Sequence, residues 1–321
     1  MDGSLLHPRK EPDVTQLDLL GELEETPPRW DEGLPERLWV GTSSFSTADW
    51  VGPFYPRGTA PADYLRHYAR RLRTVEIDAT WHAMPAARTV DGWADKVPAG
   101  FRFALKVPKT ITHDRALKGC EAEWEQFLRL TERLGDKRGP LLFQFPYRAK
   151  GRDAEEHRSG RRFLERLAAF SEGLPVDAEL VVEVRNSAWI APPLLDLLRE
   201  RGIALALIAY PTMPHPSALL SRGDLVTASF GYVRFLGHHR RMDERVAEAR
   251  RERGKRRDWD EILVDRTEET RSWVPVLHHL LGRTDRTYVY FNNHFAGHAP
   301  GSIARLRSLW SEEATATPGP A

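Results

Sequence analysis

The chain has 321 residues, 41% of them apolar and ten of them tryptophan, enough for one large domain or two ordinary ones with a sizeable core. Its 47 Lys and Arg nearly balance 46 Asp and Glu, and a net charge of +1 gives no support to wholesale nucleic-acid or membrane-surface binding. The lone cysteine, Cys120, excludes an intramolecular disulfide and a cysteine metal cluster. No apolar run approaches the roughly 18 residues of a membrane span. The acidic, proline-bearing start does not read as a signal peptide, so a cytoplasmic protein without membrane partners is expected.

Residues 1–36 are rich in Asp, Glu and Pro, with an apolar patch at Leu17, Leu19, Leu20 and Leu23, and predict a flexible extension. Order is expected from Leu38. A strand over 38–43 leads into a Gly, Pro and aromatic loop containing Trp50, Phe54, Tyr55 and Pro56. Tyr64, Leu65, Tyr68 and Leu72 then recur at helical spacing over 62–72. A second strand at 74–79 is followed by a short helix at 89–96, stopped by Pro98. The third strand, 101–107, ends in Pro108, and the fourth, 141–145, in Pro146, with a helix over 121–134 between them. A helix at 161–170, a fifth strand at 180–185 and a helix at 192–201 with Gly202 as its C-cap come next. The sixth strand, 203–208, runs into a proline-rich loop without an evident helix. The seventh strand is 231–236, and the eighth, 287–291, lies between helices at 268–281 and 301–310.

Eight strands alternating with helices over this length predict an α/β fold, a single (β/α)₈ TIM-barrel-like domain at 37–312 with a tail at 313–321. An open doubly wound sheet would want a G-x-G-x-x-G turn after an early strand, and the chain has none. The segment 238–257 interrupts the alternation and is crowded with arginines. It reads either as a solvated charged helix or mobile loop, or as a basic lid over an anionic substrate or nucleic acid.

The fifth strand, Leu-Val-Val-Glu-Val-Arg, places Glu183 and Arg185 on one face of an otherwise apolar run. Charges so placed need a partner, a ligand or a wet pocket. The same oddity recurs near the C-terminal ends of other strands, where a barrel keeps its active site. Ser43, Glu76, Asp78, Lys106, Gln144, Glu183, Arg185, Arg234, Asn292 and Asn293 come from seven strands. Lys106, Arg185 and Arg234 suit a phosphate or carboxylate. Glu76, Asp78 and Glu183 are candidate acids and bases, and a desolvated Lys106 could serve as base or Schiff-base nucleophile. Gln144 and Asn292 would orient ligand oxygens. Trp50, Tyr55, Trp81 and Trp189 follow strand ends and are either core or platforms for a planar ring. A metal is the lesser alternative: His113, His238, His239, His294 and His298 could join Glu76 and Glu183, but no H-E-x-x-H spacing supports it. Three cations in the mouth would also repel a divalent ion.

The chain resembles the YecE-like proteins (domain of unknown function 72). The resemblance lies in VGTSSFSTADWVGPFYP at 40–56, YARRLRTVEIDATW at 68–81 and TVDGWADKVPAGFRFALKVPKTITH at 89–113. It continues through LGDKRGPLLFQFP at 134–146, VVEVRNSAW at 181–189, YVRFLG at 232–237 and YVYFNNHFAGHA at 288–299. It implies a TIM-barrel-like fold and no established activity. The family's recurrent residues map onto Glu76, Lys106, Gln144, Glu183, Arg185, Trp189, Arg234, Asn292 and Asn293. The chain departs at Asp78 and Thr80-Trp81-His82, at Ala209-Tyr210 where many relatives carry Asp, and at Leu236 where many carry His.

The expectation is thus an enzyme of hydrolase or lyase type without an obligatory cofactor, acting on an anionic substrate, a phosphate-bearing one included. Glu76, Lys106 and Glu183 are the catalytic candidates. Asp78, Gln144, Arg185, Trp189, Arg234, Asn292 and Asn293 are the binding candidates. The alternatives are a barrel endonuclease-like nucleic-acid protein and a non-catalytic metabolite receptor.

Overall fold

The computed structural model describes residues 28–151, 154–254 and 256–316. The strands are β1 (Leu38–Thr42), β2 (Thr74–Ile77), β3 (Arg102–Lys106), β4 (Arg138–Gln144), β5 (Leu180–Glu183), β6 (Ala204–Ala209), β7 (Phe230–Phe235) and β8 (Arg286–Phe291). All pair in parallel in the order β1-β8-β7-β6-β5-β4-β3-β2, a nearly closed barrel. The helices are α1 (Tyr64–Ala69), α2 (Ala79–His82), α3 (Ala87–Asp95), α4 (Glu121–Glu132), α5 (Ala154–Ser159) and α6 (Arg161–Ser171). They continue with α7 (Pro192–Glu200), α8 (His239–Arg253), α9 (Thr267–Leu281), α10 (Asn293–Ala296) and α11 (Ala299–Ala316). Between β6 and β7 the chain makes only short 3₁₀ turns, in line with the proline-rich loop read there.

Period-two alternation divides the strand residues between two cores. Outward residues such as Val40, Val75, Phe103, Leu141, Val182 and Val233 meet the helices in the larger core. Inward residues, Ala104, Leu142, Val181, Ala206, Tyr232, Tyr288 and Tyr290 among them, fill the barrel. Continuing the inward parity up each strand leads to Ser43, Asp78, Lys106, Gln144, Arg185 and Asn292, which is why the polar residues collect at one end.

One junction is built differently. Among the described residues β1 and β2 share no backbone ladder, although they lie side by side. The Tyr68 hydroxyl of α1 fills the gap: it accepts from the Thr42 amide at 2.9 Å and donates to the Thr74 carbonyl at 3.0 Å. Gly41 permits this approach, since a Cβ there would lie 2.3 Å from the Thr74 carbonyl oxygen.

Residues 28–36, within the stretch read as extension, are packed against the barrel. Asp31 is buried and takes both Arg29 and Arg73, and the Trp30 amide donates to the Arg71 carbonyl. The expectation for residues 1–27 lies outside the described residues. Segment 238–257 is mostly helix α8, seated through Met242, Val246 and Ala249 on one stripe.

Candidate active site at the barrel mouth

Arg234 is the centre of the mouth. It rises from β7 beneath a layer of polar residues and is 1% exposed. Its Nε and Nη2 donate to Glu76 Oε1 at 3.1 and 2.6 Å, its Nη1 donates to Glu183 Oε2 at 2.6 Å, and Nη2 also reaches Asp78 Oδ1 at 3.1 Å. Tyr232, two residues earlier on the same face, donates to Glu76 Oε2 at 2.6 Å. Arg185 donates from Nε to Glu183 Oε1. Glu76 and Glu183 thus have no exposed surface and no oxygen without a donor. Burial raises the Glu76 pKa, Arg234 opposes this and Asp78 adds to it. Burial also pushes Glu183 upward, but Arg185 and Arg234 prevail and bring it to about 2.

Above this layer the charges are less fully engaged. Lys106 Nζ stands 3.9 Å from Asp78 Oδ1, beyond hydrogen-bond reach, and 4.8 Å from the centre of the Trp81 ring. Burial lowers its pKa, with Asp78 acting against the shift and Arg234 reinforcing it. Arg185 stacks on Tyr210, its guanidinium carbon 3.9 Å from the ring centre. Among the described residues its two terminal nitrogens make no hydrogen bond, and neither does Lys106 Nζ. The Lys106 and Arg185 side chains are each 12% exposed and that of Asp78 is 31% exposed, so solutes reach these three rather than the glutamates.

The structure brings Glu76, Asp78, Lys106, Glu183, Arg185 and Arg234 into one charged cluster, and the other candidates are engaged locally outside it. Gln144 is buried and donates to the Phe145 carbonyl. Trp189 turns away from the mouth: it stacks on Phe163 at 4.7 Å, donates to the Glu156 and His157 carbonyls, and covers Gly160. A Cβ on Gly160, whose φ is +58°, would lie 2.8 Å from that indole ring. Asn292 caps α10 by accepting from the His294 amide at 2.9 Å, and Asn293 accepts from the Ala299 amide at 3.0 Å. Sequence reasoning passed over Tyr232 and Tyr210, although Tyr232 shares the parity of Arg234. The carboxylate–imidazole alternative is not assembled: among the described residues no three His, Cys, Asp or Glu side chains converge as a metal site requires.

Four of the six arginines of α8 are matched by carboxylates of the helix or of the loop that follows it. Arg240 pairs with Glu244, Arg245 with Glu248, Arg250 with Asp258 and Arg253 with Glu261. Each such exposed pair contributes little to stability, but together they cancel much of the local positive charge.

Two histidines border the mouth. Burial lowers His113 to about 4, helped by Lys106, and lowers His239 to about 4, helped by His294. In the unfolded chain they take up protons below about pH 6.5, whereas in the folded protein they stay neutral down to about 4. The unfolded state therefore binds more protons across this window, and stability falls as pH drops from 6.5 to 4. Urea midpoints of a His113→Gln, His239→Gln double variant are expected to change less across that window than those of the parent. An unchanged slope would assign the acid sensitivity to other groups.

YecE of Escherichia coli is 26% identical over 218 residues, 62% of this chain and 74% of its own length. YunF of Bacillus subtilis is 24% identical over 290 residues, 85% of this chain and 94% of its own. A DUF72 family crystal structure from Thermotoga maritima matches with a TM-score of 0.66 and 28% identity, over 85% of this chain and 99% of that one. A DUF72 family protein from Enterococcus faecalis shares the fold at 21% identity, with a TM-score of 0.58 over 85% of this chain and 97% of that one. The model of the family described as "Protein of unknown function DUF72" matches residues 39–321, and the chain belongs to that family.

Proposed function

We propose that the protein binds a small anionic molecule at the barrel mouth and transforms it by acid–base chemistry of hydrolase or lyase type. What supports this is the division of labour among the charges. Arg234, Glu76 and Glu183 are consumed by one another, while Lys106 and the terminal nitrogens of Arg185 face the opening without a hydrogen-bond partner among the described residues. Cationic donors kept at a partly dry surface suit carboxylate or phosphate oxygens, and Arg185 is held flat by Tyr210 in the orientation a forked contact uses. Lys106, its pKa lowered by burial, is the reacting base or nucleophile, and Asp78 beside it receives or returns the proton. Glu76, Glu183 and Arg234 act as positioning residues. The matched charges of α8 favour a small anion over a polymeric one.

Lys106→Met and Asp78→Asn test the reading. Both are expected to melt near the parent: Lys106 Nζ makes no hydrogen bond among the described residues, and the amide oxygen of Asp78→Asn can still accept from Arg234 Nη2. Lys106→Met is expected to weaken binding of inorganic phosphate or small carboxylates, followed calorimetrically, by roughly ten- to a hundredfold, the scale of one charged hydrogen bond. Asp78→Asn is expected to retain binding and lose turnover in a substrate screen. Unaltered anion affinity in Lys106→Met would remove the mouth from consideration as the anion site.

A further inference from the structure

The anion site proposed above adjoins, through Asp78, a cleft of about 250 Å³ at the ends of β1 and β8, lined in part by Ser43, Trp50, His239, Trp259 and His294. Asp78 belongs to both spaces. We propose that the ligand carries hydroxyl groups beside its anionic group, as sugar acids and sugar phosphates do, and that this cleft receives the hydroxylated part. The inference rests on the anion reading for one end of the ligand and on separate observations for the other.

The first observation is unsatisfied polarity. Ser43 Oγ and Trp50 Nε1 are buried on the cleft wall, their residues 4% and 1% exposed, with no hydrogen-bond partner among the described residues. A buried polar atom left unmatched costs about 1–3 kcal/mol. Two such atoms beside one cleft mark a place where a donor and an acceptor arrive from outside. Ser43 offers both roles and Trp50 only donates, a combination met by hydroxyl groups.

The second is the absence of cationic charge from those walls. His239 is exposed at the cleft rim, yet partial desolvation and the neighbouring His294 lower its pKa to about 4, so it is neutral above that pH. None of the mouth's cations lines the cleft, so the anionic end of a ligand belongs beside them and an uncharged, polar end belongs in the cleft. Asp78 gives Oδ1 to Arg234, and its Oδ2 has no partner among the described residues. That oxygen can accept from a hydroxyl at the junction. The third is shape. Trp259 lies 4.8 Å from the His294 ring, His294 lies 4.1 Å from His239, and the Trp259 amide is fixed to Asp49 Oδ2 at 3.2 Å. An aromatic wall of this kind suits the C–H face of a saturated ring, and the volume admits one ring.

Calorimetric titration of the full chain separates the two ends. The probes are glucose 6-phosphate and glucuronate as hydroxylated anions, inorganic phosphate and acetate as bare anions, and glucose as the uncharged control. The hydroxylated anions are expected to bind about tenfold tighter than the bare anion of the same type, and the preferred one of the pair distinguishes a phosphate from a carboxylate ligand. Ser43→Ala should cost the hydroxylated anions roughly three- to tenfold, the scale of one neutral hydrogen bond, and leave the bare anions unchanged. Ser43→Val, which places methyl groups in the cleft, should remove the preference altogether. Equal binding of both classes, or a preference untouched by either Ser43 variant, would mean that the cleft holds only water. If Lys106→Met still weakens every anion in that case, the anion site stands and the hydroxyl cleft falls. Absence of binding by all five probes to the parent protein would overturn both.

Discussion

Arg234→Met is expected to lower the unfolding free energy by about 3–5 kcal/mol, the cost of breaking a buried ion pair from one side. The guanidinium gives four hydrogen bonds to three carboxylates, and two of those, Glu76 and Glu183, have no exposed surface. Methionine fills comparable space, so the loss would be electrostatic more than steric. A second signature follows from the sign of the linkage. Without Arg234 the folded carboxylates hold protons more tightly than the unfolded ones, so the variant should lose stability as pH rises through their elevated pKa values. The measurement is a urea denaturation series at acidic and neutral pH. Adding Glu76→Gln and Glu183→Gln to Arg234→Met should recover part of the loss at neutral pH, because amides need no counter-charge. A destabilisation below about 1 kcal/mol would show that the network relaxes into water and is not a structural unit.

The second large effect is expected at the β1–β2 junction. Tyr68→Phe removes one oxygen but leaves two buried backbone groups unmatched, the Thr42 amide and the Thr74 carbonyl, each costing on the order of 1–3 kcal/mol. The phenyl ring would still pack beside Phe54 and Phe101, so little apolar burial changes. Gly41→Ala attacks the same junction by sterics, pushing β1 away from the Thr74 carbonyl. The Thr42 amide should exchange with deuterium much faster in Tyr68→Phe than in the parent, while amides of the laddered β7–β8 pair keep their order of protection. Uniform acceleration across the barrel would mean that the junction opens only with the whole fold.

Much of this was legible in the chain. Proline stops after the third and fourth strands, and short β-branched runs between helical ones, give the barrel without any knowledge of contacts. The collection of charges at the strand ends was equally legible, since parity fixes which residues face inward. What could not be read was the pairing across the barrel. Glu76 and Arg234 stand 158 positions apart and meet only once the sheet curls round, so reading Glu76 as a catalytic group and Arg234 as a substrate ligand did not include their pairing with each other. Trp189 was open for a different reason: its strand-end position allows either direction, and in the structure it packs over Gly160 and the face of Phe163. Asn292 was open to a plainer reading, because Asn ahead of a short helix is a common cap.

The balance of charge in the mouth also bears on how fast a ligand arrives. Glu76, Asp78 and Glu183 set three negative charges against the three positive charges of Lys106, Arg185 and Arg234, within contacts of 3.9 Å or less. Opposite charges packed so closely cancel beyond about one Debye length, roughly 8 Å at physiological salt. An approaching anion would feel no long-range pull and would meet the donors of Lys106 and Arg185 only on arrival. Association should then proceed at an unsteered rate with weak dependence on ionic strength, and discrimination among anions should reside in how long each one stays.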